Sequence, residues 1–253
     1  MERSFLFLGT GGSMGIPAIA CHCPVCTSSS PFNKRSRPSG LLKIGKKQFL
    51  IDAGPDFRAQ ALRFGIDRLD GVLITHTHFD HIAGFDDLRV FYFLHKQMVH
   101  CLLSKDSFEE IKIRFHYLFN DSKCRWAKFQ ILEKDFGTTS FEGVTFDTVS
   151  YFQAEMKVTG YRIDRLAYIS DIRRYDEAVI DALKGVEILI LSALRLTPTE
   201  VHFSIDEAIA FARKVGAKKT FFTHIAHELE HEETNRHLPE DIRLSYDGLE
   251  ICF

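Results

Sequence analysis

Within the six-residue run His76, Thr77, His78, Phe79, Asp80 and His81, four side chains can ligate a metal ion. Three imidazoles and a carboxylate form a donor set that zinc, manganese and iron(II) accept. His76 and His78 are two apart and project to the same side of an extended segment, whereas Asp80 and His81 continue into a turn and face a second point. One loop can thereby feed two neighbouring cations; a chance surface cluster of histidines is the plain alternative. The run follows Gly71-Val72-Leu73-Ile74-Thr75, an apolar stretch of the kind that forms a buried strand. The donors are therefore expected on the loop at that strand's carboxyl end, where open α/β sheets place their sites.

A second cluster has a different character. Cys21, Cys23 and Cys26 form a C-x-C-x-x-C pattern, while Cys101, Cys124 and Cys252 stand apart among apolar or mixed neighbours and read as ordinary buried thiols. A chain of 253 residues can bury a sizeable core without disulfide staples, and no secretory signal is evident. Three closely spaced thiolates then favour a structural zinc closed by a fourth ligand from elsewhere.

The elements that must position these groups read as a single α/β unit spanning 1–253. Strand-like runs occur at 5–8, 41–44, 48–51, 72–75, 99–103, 144–149, 158–163, 166–170, 186–191 and 220–223, with a hairpin near Gly45. Helical candidates lie at 56–64, 108–119, 176–183 and 205–215, the last capped by Ser204 with Glu207 three residues on. The stretch 120–139, with Asp121, Lys123 and the only tryptophan, Trp126, is the least regular and reads as a solvated connection or a lid. Phe85, Phe91, Phe93, Phe115 and Phe119 read as core, and an apolar patch left outside would allow a homodimer. Gly9-Thr10-Gly11-Gly12-Ser13-Met14-Gly15 lacks the spacing and the following helix of a nucleotide-binding turn. It reads as a tight loop whose glycines let the backbone pass near the site.

The order His-x-His-x-Asp-His, with Asp52 before it, Asp171 in Tyr168-Ile169-Ser170-Asp171 and His224 in Phe221-Phe222-Thr223-His224, resembles the metallo-β-lactamase superfamily. The likeness is greatest to the cyclic phosphodiesterases typified by PhnP and runs from Leu8 through Gly248. It implies an αββα sandwich of two mixed sheets with helices outside. It also implies that His76 and His78 hold one catalytic metal, that Asp80, His81 and His224 hold another, and that Asp171 bridges them. His202 matches a histidine that binds the phosphate or protonates the leaving oxygen, and its imidazole titrates in a suitable range. It equally reads as the flank of the helix that Ser204 caps. Asp52 is expected to support the metal loop by hydrogen bonds. For the structural zinc the resemblance supplies His227 as the partner of Cys21, Cys23 and Cys26, with His22 and His231 as rivals.

One position departs from the pattern. The remaining ligand to the first metal is a histidine eight residues before the tyrosine of Gly160-Tyr161-Arg162, and here that position is Gln153. A neutral amide oxygen replaces an imidazole nitrogen, a poor exchange for zinc and a less poor one for harder cations. Glu155 is a substitute if the loop re-routes.

The expected activity is metal-dependent hydrolysis of a small cyclic or nucleotide-like phosphodiester by a metal-bound hydroxide, with His202 and Asp80 in the catalytic set. The cofactors expected are a structural Zn2+ and one or two catalytic divalent ions, Mn2+, Zn2+ or Fe2+. The alternatives are a non-catalytic binder of a phosphorylated ligand, an RNA-processing enzyme and a thioester hydrolase. A net charge of minus two and 26% charged residues give no general attraction to large nucleic acids. No apolar run is long enough to span a bilayer, and a cytoplasmic location is the default expectation.

Overall fold

In the first strands, side chains alternate between two apolar environments instead of between core and water. The computed structural model describes residues 2–120 and 125–253; Asp121, Lys123 and Cys124 lie outside the described residues. Strands β1 (Arg3–Gly9), β2 (Ser39–Ile44), β3 (Lys47–Ile51), β4 (Gly71–Leu73), β5 (Val99–Leu103) and β6 (Ala127–Ile131) pair in that order. A second sheet runs β7 (Gly137–Phe141), β8 (Val144–Gln153), β9 (Met156–Ile163), β10 (Leu166–Ile169), β11 (Ile188–Ser192), β12 (Lys219–Thr223) and β13 (Ile242–Leu244). Strand β14 (Glu250–Cys252) returns to the first sheet beside β1.

Burial accounts for the layering. Phe5, Phe7, Phe49, Ile51 and Leu73 meet Tyr161, Leu166, Tyr168 and Ile190 between the sheets. Their alternates Leu6, Leu8, Leu50 and Val72 pack outward beneath helices 57–64, 89–95 and 105–114. On the far side, Ala167, Ile169, Leu189 and Leu191 pack beneath helices 177–182 and 205–215. Two sheets sandwiched between helices form the expected αββα architecture. Each fully buried large apolar side chain contributes roughly 1.5–3 kcal/mol to holding these layers together.

Helix Ile205–Val215 begins at Ser204, whose side chain and that of Glu207 form a reciprocal capping box, and ends at left-handed Gly216. Its buried residues Ile205, Ala208, Phe211, Ala212 and Val215 form one face. In both sheets the antiparallel hairpins lie toward one side, and the parallel pairs follow: β3, β4, β5 and β6 in the first, β10, β11, β12 and β13 in the second. All the parallel strands end toward one rim, which is the rim that carries the site.

Several expectations are corrected. The stretch 120–139, read as a connection or lid, supplies β6 and β7, one edge strand for each sheet, and Trp126 is buried against Phe85. The helix expected at 108–119 begins at Lys105 and breaks at Phe115, whose backbone leaves the helical region. Strand β4 ends at Leu73 instead of continuing to 75, and the Thr75 backbone N–H is taken by the Asp52 side chain. Cys252 is exposed on β14, although Cys101 is buried as expected. Phe85 and Phe91 are core, but Phe93 is exposed and, with Leu62, Val90 and Leu94, lines an open groove of about 590 Å3. Among the described residues no helix is long and apolar enough to cross a membrane.

Candidate metal centre

Asp52 follows β3 directly, is fully buried, and has its backbone in the left-handed region at a φ of 60°. Its carboxylate accepts from the Thr75 backbone N–H at 2.8 Å, the Thr75 hydroxyl at 2.7 Å and His81 Nδ1 at 2.7 Å. The Thr75 hydroxyl also lies 2.9 Å from His76 Nδ1. Protons on His81 Nδ1 and His76 Nδ1 satisfy this network, which leaves the Nε2 lone pairs of both rings for the cluster. The support expected of Asp52 is thus a link that fixes two imidazoles, one directly and one through Thr75.

The cluster draws on both sheets. His76, His78, Asp80 and His81 come from the loop after β4, which turns into a short helix at Phe79. Gly54 permits that turn: a Cβ there would lie 2.1 Å from the Asp80 carbonyl oxygen. From the second sheet, Asp171 follows β10 and His224 follows β12, at left-handed φ values of 54° and 58°. For residues with a Cβ this conformation costs about 1–2 kcal/mol each. His81 Nε2 stands 3.1 Å from Asp171 Oδ2, and His224 Nε2 stands 3.2 Å from both Asp171 Oδ1 and Asp80 Oδ2. The two oxygens of Asp171 therefore face different imidazoles. His76 Nε2 lies 3.1 Å from His78 Nδ1, and His78 is half-buried at the edge of the group.

Charge and burial work against one another here. Burial opposes ionisation of Asp80 and Asp171, but the neighbouring His81 and His224 hold both carboxyls well below their ordinary range. Burial also opposes charge on His81 and His224, yet Asp171 and its neighbouring carboxylates raise both. His76 and His78, deeper in apolar surroundings or farther from compensation, are pushed down by burial.

His202 and Gln153 complete the wall. Gln153 ends β8 and is buried, with its Nε2 at 3.3 Å from Asp171 Oδ1 and 3.0 Å from His202 Nε2. His202 Nδ1 lies 3.3 Å from Asp171 Oδ1, and burial followed by the charge of His224 lowers its pKa to about 4. The backbone of His202 is held by Thr199, just before the Ser204 cap, so the histidine both flanks the helix and faces the cluster. Buried atoms without hydrogen-bond partners gather in this region: His81 Nε2, Gln153 Oε1, His202 Nδ1 and His224 Nδ1. Close approach of lone-pair atoms without hydrogen-bond alignment is a chemistry that divalent cations satisfy.

The residues that sequence reasoning passed over are supports. The Ser170 hydroxyl donates to Asp171 Oδ2 at 2.5 Å, and Tyr151 donates to the Ser170 carbonyl. The Tyr161 hydroxyl reaches Ile74 and Leu102 carbonyls across the sandwich, and the Thr159 N–H reaches the Thr75 carbonyl. Glu155, the proposed substitute for Gln153, is turned out to solvent and bonds to Arg174.

The cysteine cluster lies next to the His224 strand end. His227 Nδ1 stands 3.2, 3.4 and 3.6 Å from the sulfurs of Cys21, Cys23 and Cys26. These approaches are comparable to the roughly 3.3–3.8 Å edges of a tetrahedron built on zinc bonds of about 2.0–2.3 Å. The Cys26 N–H donates to Cys23, which with His227 lowers the Cys23 pKa to about 6, while burial pushes Cys26 up to about 11. His231, the rival ligand, is engaged elsewhere by Arg35 and Asn235. Gly12 donates to the Ile225 carbonyl and Ile225 donates to that of Thr10, so the glycine loop does pass beside His224.

Residues 47–225 match the family described as the beta-lactamase superfamily domain. The chain belongs to the metallo-β-lactamase superfamily. Within it, a diphosphatase of the PhnP family superposes with a TM-score of 0.94 at 38% identity, covering 100% of this chain and 98% of that one. This supports a PhnP-like assignment. Zinc-bound PqqB of Methylobacterium extorquens shares the superfamily fold at a TM-score of 0.78 and 19% identity, over 98% of this chain and 99% of its own. In sequence, the chain is 33% identical over 250 residues to an octanoyltransferase of Porphyromonas gingivalis. That match covers 97% of this chain and 50% of the relative, so this metallo-β-lactamase chain spans about half the relative's length. A ribonuclease Z of Bradyrhizobium diazoefficiens is 39% identical over 64 residues, 24% of this chain and 21% of its own. Superfamily membership together with the PhnP-family diphosphatase supports a metal-dependent hydrolase.

Proposed function

We propose that this chain hydrolyses a phosphodiester or diphosphate linkage in a small nucleotide-like molecule. The observation that carries the reading is the convergence of Asp80, His81, His224, His76 and Asp171 on one rim, with the two Asp171 oxygens facing different imidazoles. His76, His78 and Gln153 would wall one cation position, Asp80, His81 and His224 another, and Asp171 would serve both. Divalent ions held there would supply a water of lowered pKa and neutralise charge on phosphate oxygens.

The chain's own groups do the remaining work. Asp52 holds the His81 ring with its Nε2 lone pair inward, and Thr75 does the same for His76. Gln153 and Asp171 bracket His202, whose imidazole would bind a phosphate oxygen on exchanging one of these contacts for the substrate. A structural zinc in the Cys21, Cys23, Cys26 and His227 cluster would tie the N-terminal loop to the segment after His224. All of these residues fall within one continuous hydrolase unit spanning the chain.

The diphosphatase at 38% identity favours a phosphoanhydride as the second reading. The two linkages differ in their leaving group. A phosphoanhydride expels a stabilised phosphate, whereas a diester expels an alkoxide that needs a proton or strong electrostatic help. Turnover of bis-aryl phosphate, a cyclic nucleotide and a dinucleoside diphosphate, each after loading with manganese, zinc or iron(II), separates the readings. Hydrolysis of either class supports the proposal. No turnover of any substrate under any metal refutes it and favours a phosphorylated-ligand binder.

A further inference from the structure

The two walls of the metal centre contain equal numbers of nitrogen and oxygen donors but unequal charge. Asp80, His81 and His224 present two imidazoles and a carboxylate, with Asp171 alongside. His76, His78 and Gln153 present two imidazoles and an amide, with the same Asp171 alongside. Gln153 is 95% buried; its Nε2 lies within reach of Asp171 and His202, its side chain also interacts with His78, and its Oε1 makes no well-formed hydrogen bond. A buried amide oxygen without a donor needs a positive partner, and a cation is the partner that the surrounding lone pairs can share. Glu155 cannot supply the missing charge, because its side chain is 96% exposed and paired with Arg174.

We infer that the two cation positions fill in sequence. The Asp80, His81 and His224 position fills first, and the His76, His78 and Gln153 position takes its ion through a neutral oxygen only at higher free metal. Ligand charge count tunes affinity steeply when geometry is otherwise similar, so the gap is at least about tenfold. The working pair then forms above a threshold of divalent metal, and Gln153 sets that threshold. The amide also couples the second event to His202, because the same side chain that offers Oε1 holds the imidazole through Nε2. This inference rests on the two-position reading of the centre given above.

The test is a titration with Co2+ and, separately, Mn2+. The protein is first treated with a mild carboxylate chelator that spares thiolate-bound zinc, and binding is followed by calorimetry and by the visible absorption of cobalt. Two phases separated by at least about tenfold are expected. Gln153→Glu introduces a charge with the donor atom retained and brings the phases together. Gln153→Leu removes the weaker phase and leaves the tighter one in place. A single phase binding both ions equally in the natural chain overturns the inference, as does a Gln153→Leu protein with both phases intact. Two-phase binding without hydrolysis of any phosphoester or diphosphate sinks the hydrolase reading and leaves the sequential filling standing. Hydrolysis with single-phase binding does the reverse.

Discussion

Replacing Asp52 by asparagine keeps the side chain's shape while exchanging one acceptor oxygen for an NH2 donor. If the asparagine oxygen continues to accept from the Thr75 N–H, its NH2 must face the Thr75 hydroxyl and His81 Nδ1, both held within 2.7 Å of the native carboxylate. His81 then has two choices. It keeps its Nδ1 proton and meets another donor, or it moves the proton to Nε2 and loses the lone pair aimed at the cluster. The reverse amide orientation sets the NH2 against the Thr75 N–H and is no better. Loss of a partner that orients a metal-binding imidazole costs about 10–100-fold in affinity, or ~1.4–2.7 kcal/mol. Loss of the charge-assisted hydrogen bonds costs the fold about 1.5–3 kcal/mol. Competition against a fluorescent zinc chelator reads the affinity, and urea unfolding reads the stability. An Asp52→Asn protein that binds its rim metals within about twofold of the natural chain refutes the argument that Asp52 fixes the imidazole tautomers.

Further outcomes follow from other contacts. Gly54→Ala places a methyl 2.1 Å from the Asp80 carbonyl oxygen; the loop must shift, with an expected loss of about 1–3 kcal/mol on unfolding and of metal bound at Asp80. His227→Gln, or Cys23→Ser, lowers zinc content by about one equivalent in elemental analysis and reduces the melting temperature, because a thiolate zinc site contributes folding energy. His231, stacked on Phe32, has its pKa lowered to about 4 by burial and then by Arg35. The unfolded histidine titrates near 6.5, so between those values the unfolded chain binds more protons and stability falls as pH falls. The contribution is present in full above about pH 6.5 and is lost through pH 4; urea unfolding should show the natural chain losing about 2 kcal/mol more than His231→Gln between pH 7 and 4.5, allowing for solvent screening. Equal losses in the two proteins rule out His231 as the source.

What was legible in the sequence was local. The donors of the 76–81 run are contiguous, the apolar stretch before them is a buried strand, and Ser204 with Glu207 announces the helix they cap. The edge elements carried too little signal. Ala127–Ile131 is largely exposed beyond Ala127, β13 and β14 are three residues long, and helix His231–His237 buries only His231. Without apolar periodicity, such segments cannot be told from loops. The supports of the site were hidden for a different reason. Asp52 meets Thr75 and His81 after intervals of 23 and 29 residues, and Gln153 meets His202 after 49. Those contacts exist only once strands have paired, and the left-handed turns at Asp52, Asp171 and His224 use residues that do not advertise a positive φ as glycine does.

The division of the metal centre between two sheets sets an order of events during synthesis. His76 through His81 emerge with the first sheet, but Asp171, His202 and His224 arrive with the second, in the last third of the chain. A nascent fragment ending before β9 would carry His76, His78, Asp80, His81 and Gln153 but neither His224 nor Asp171, the carboxylate the two positions share. An ion held through Asp171 would therefore latch the two sheets after they have docked. Once latched, sliding of one sheet past the other would pull His81 away from Asp171 and Asp80 away from His224 together, so the ions would act as a lock against shear as well as a site for chemistry.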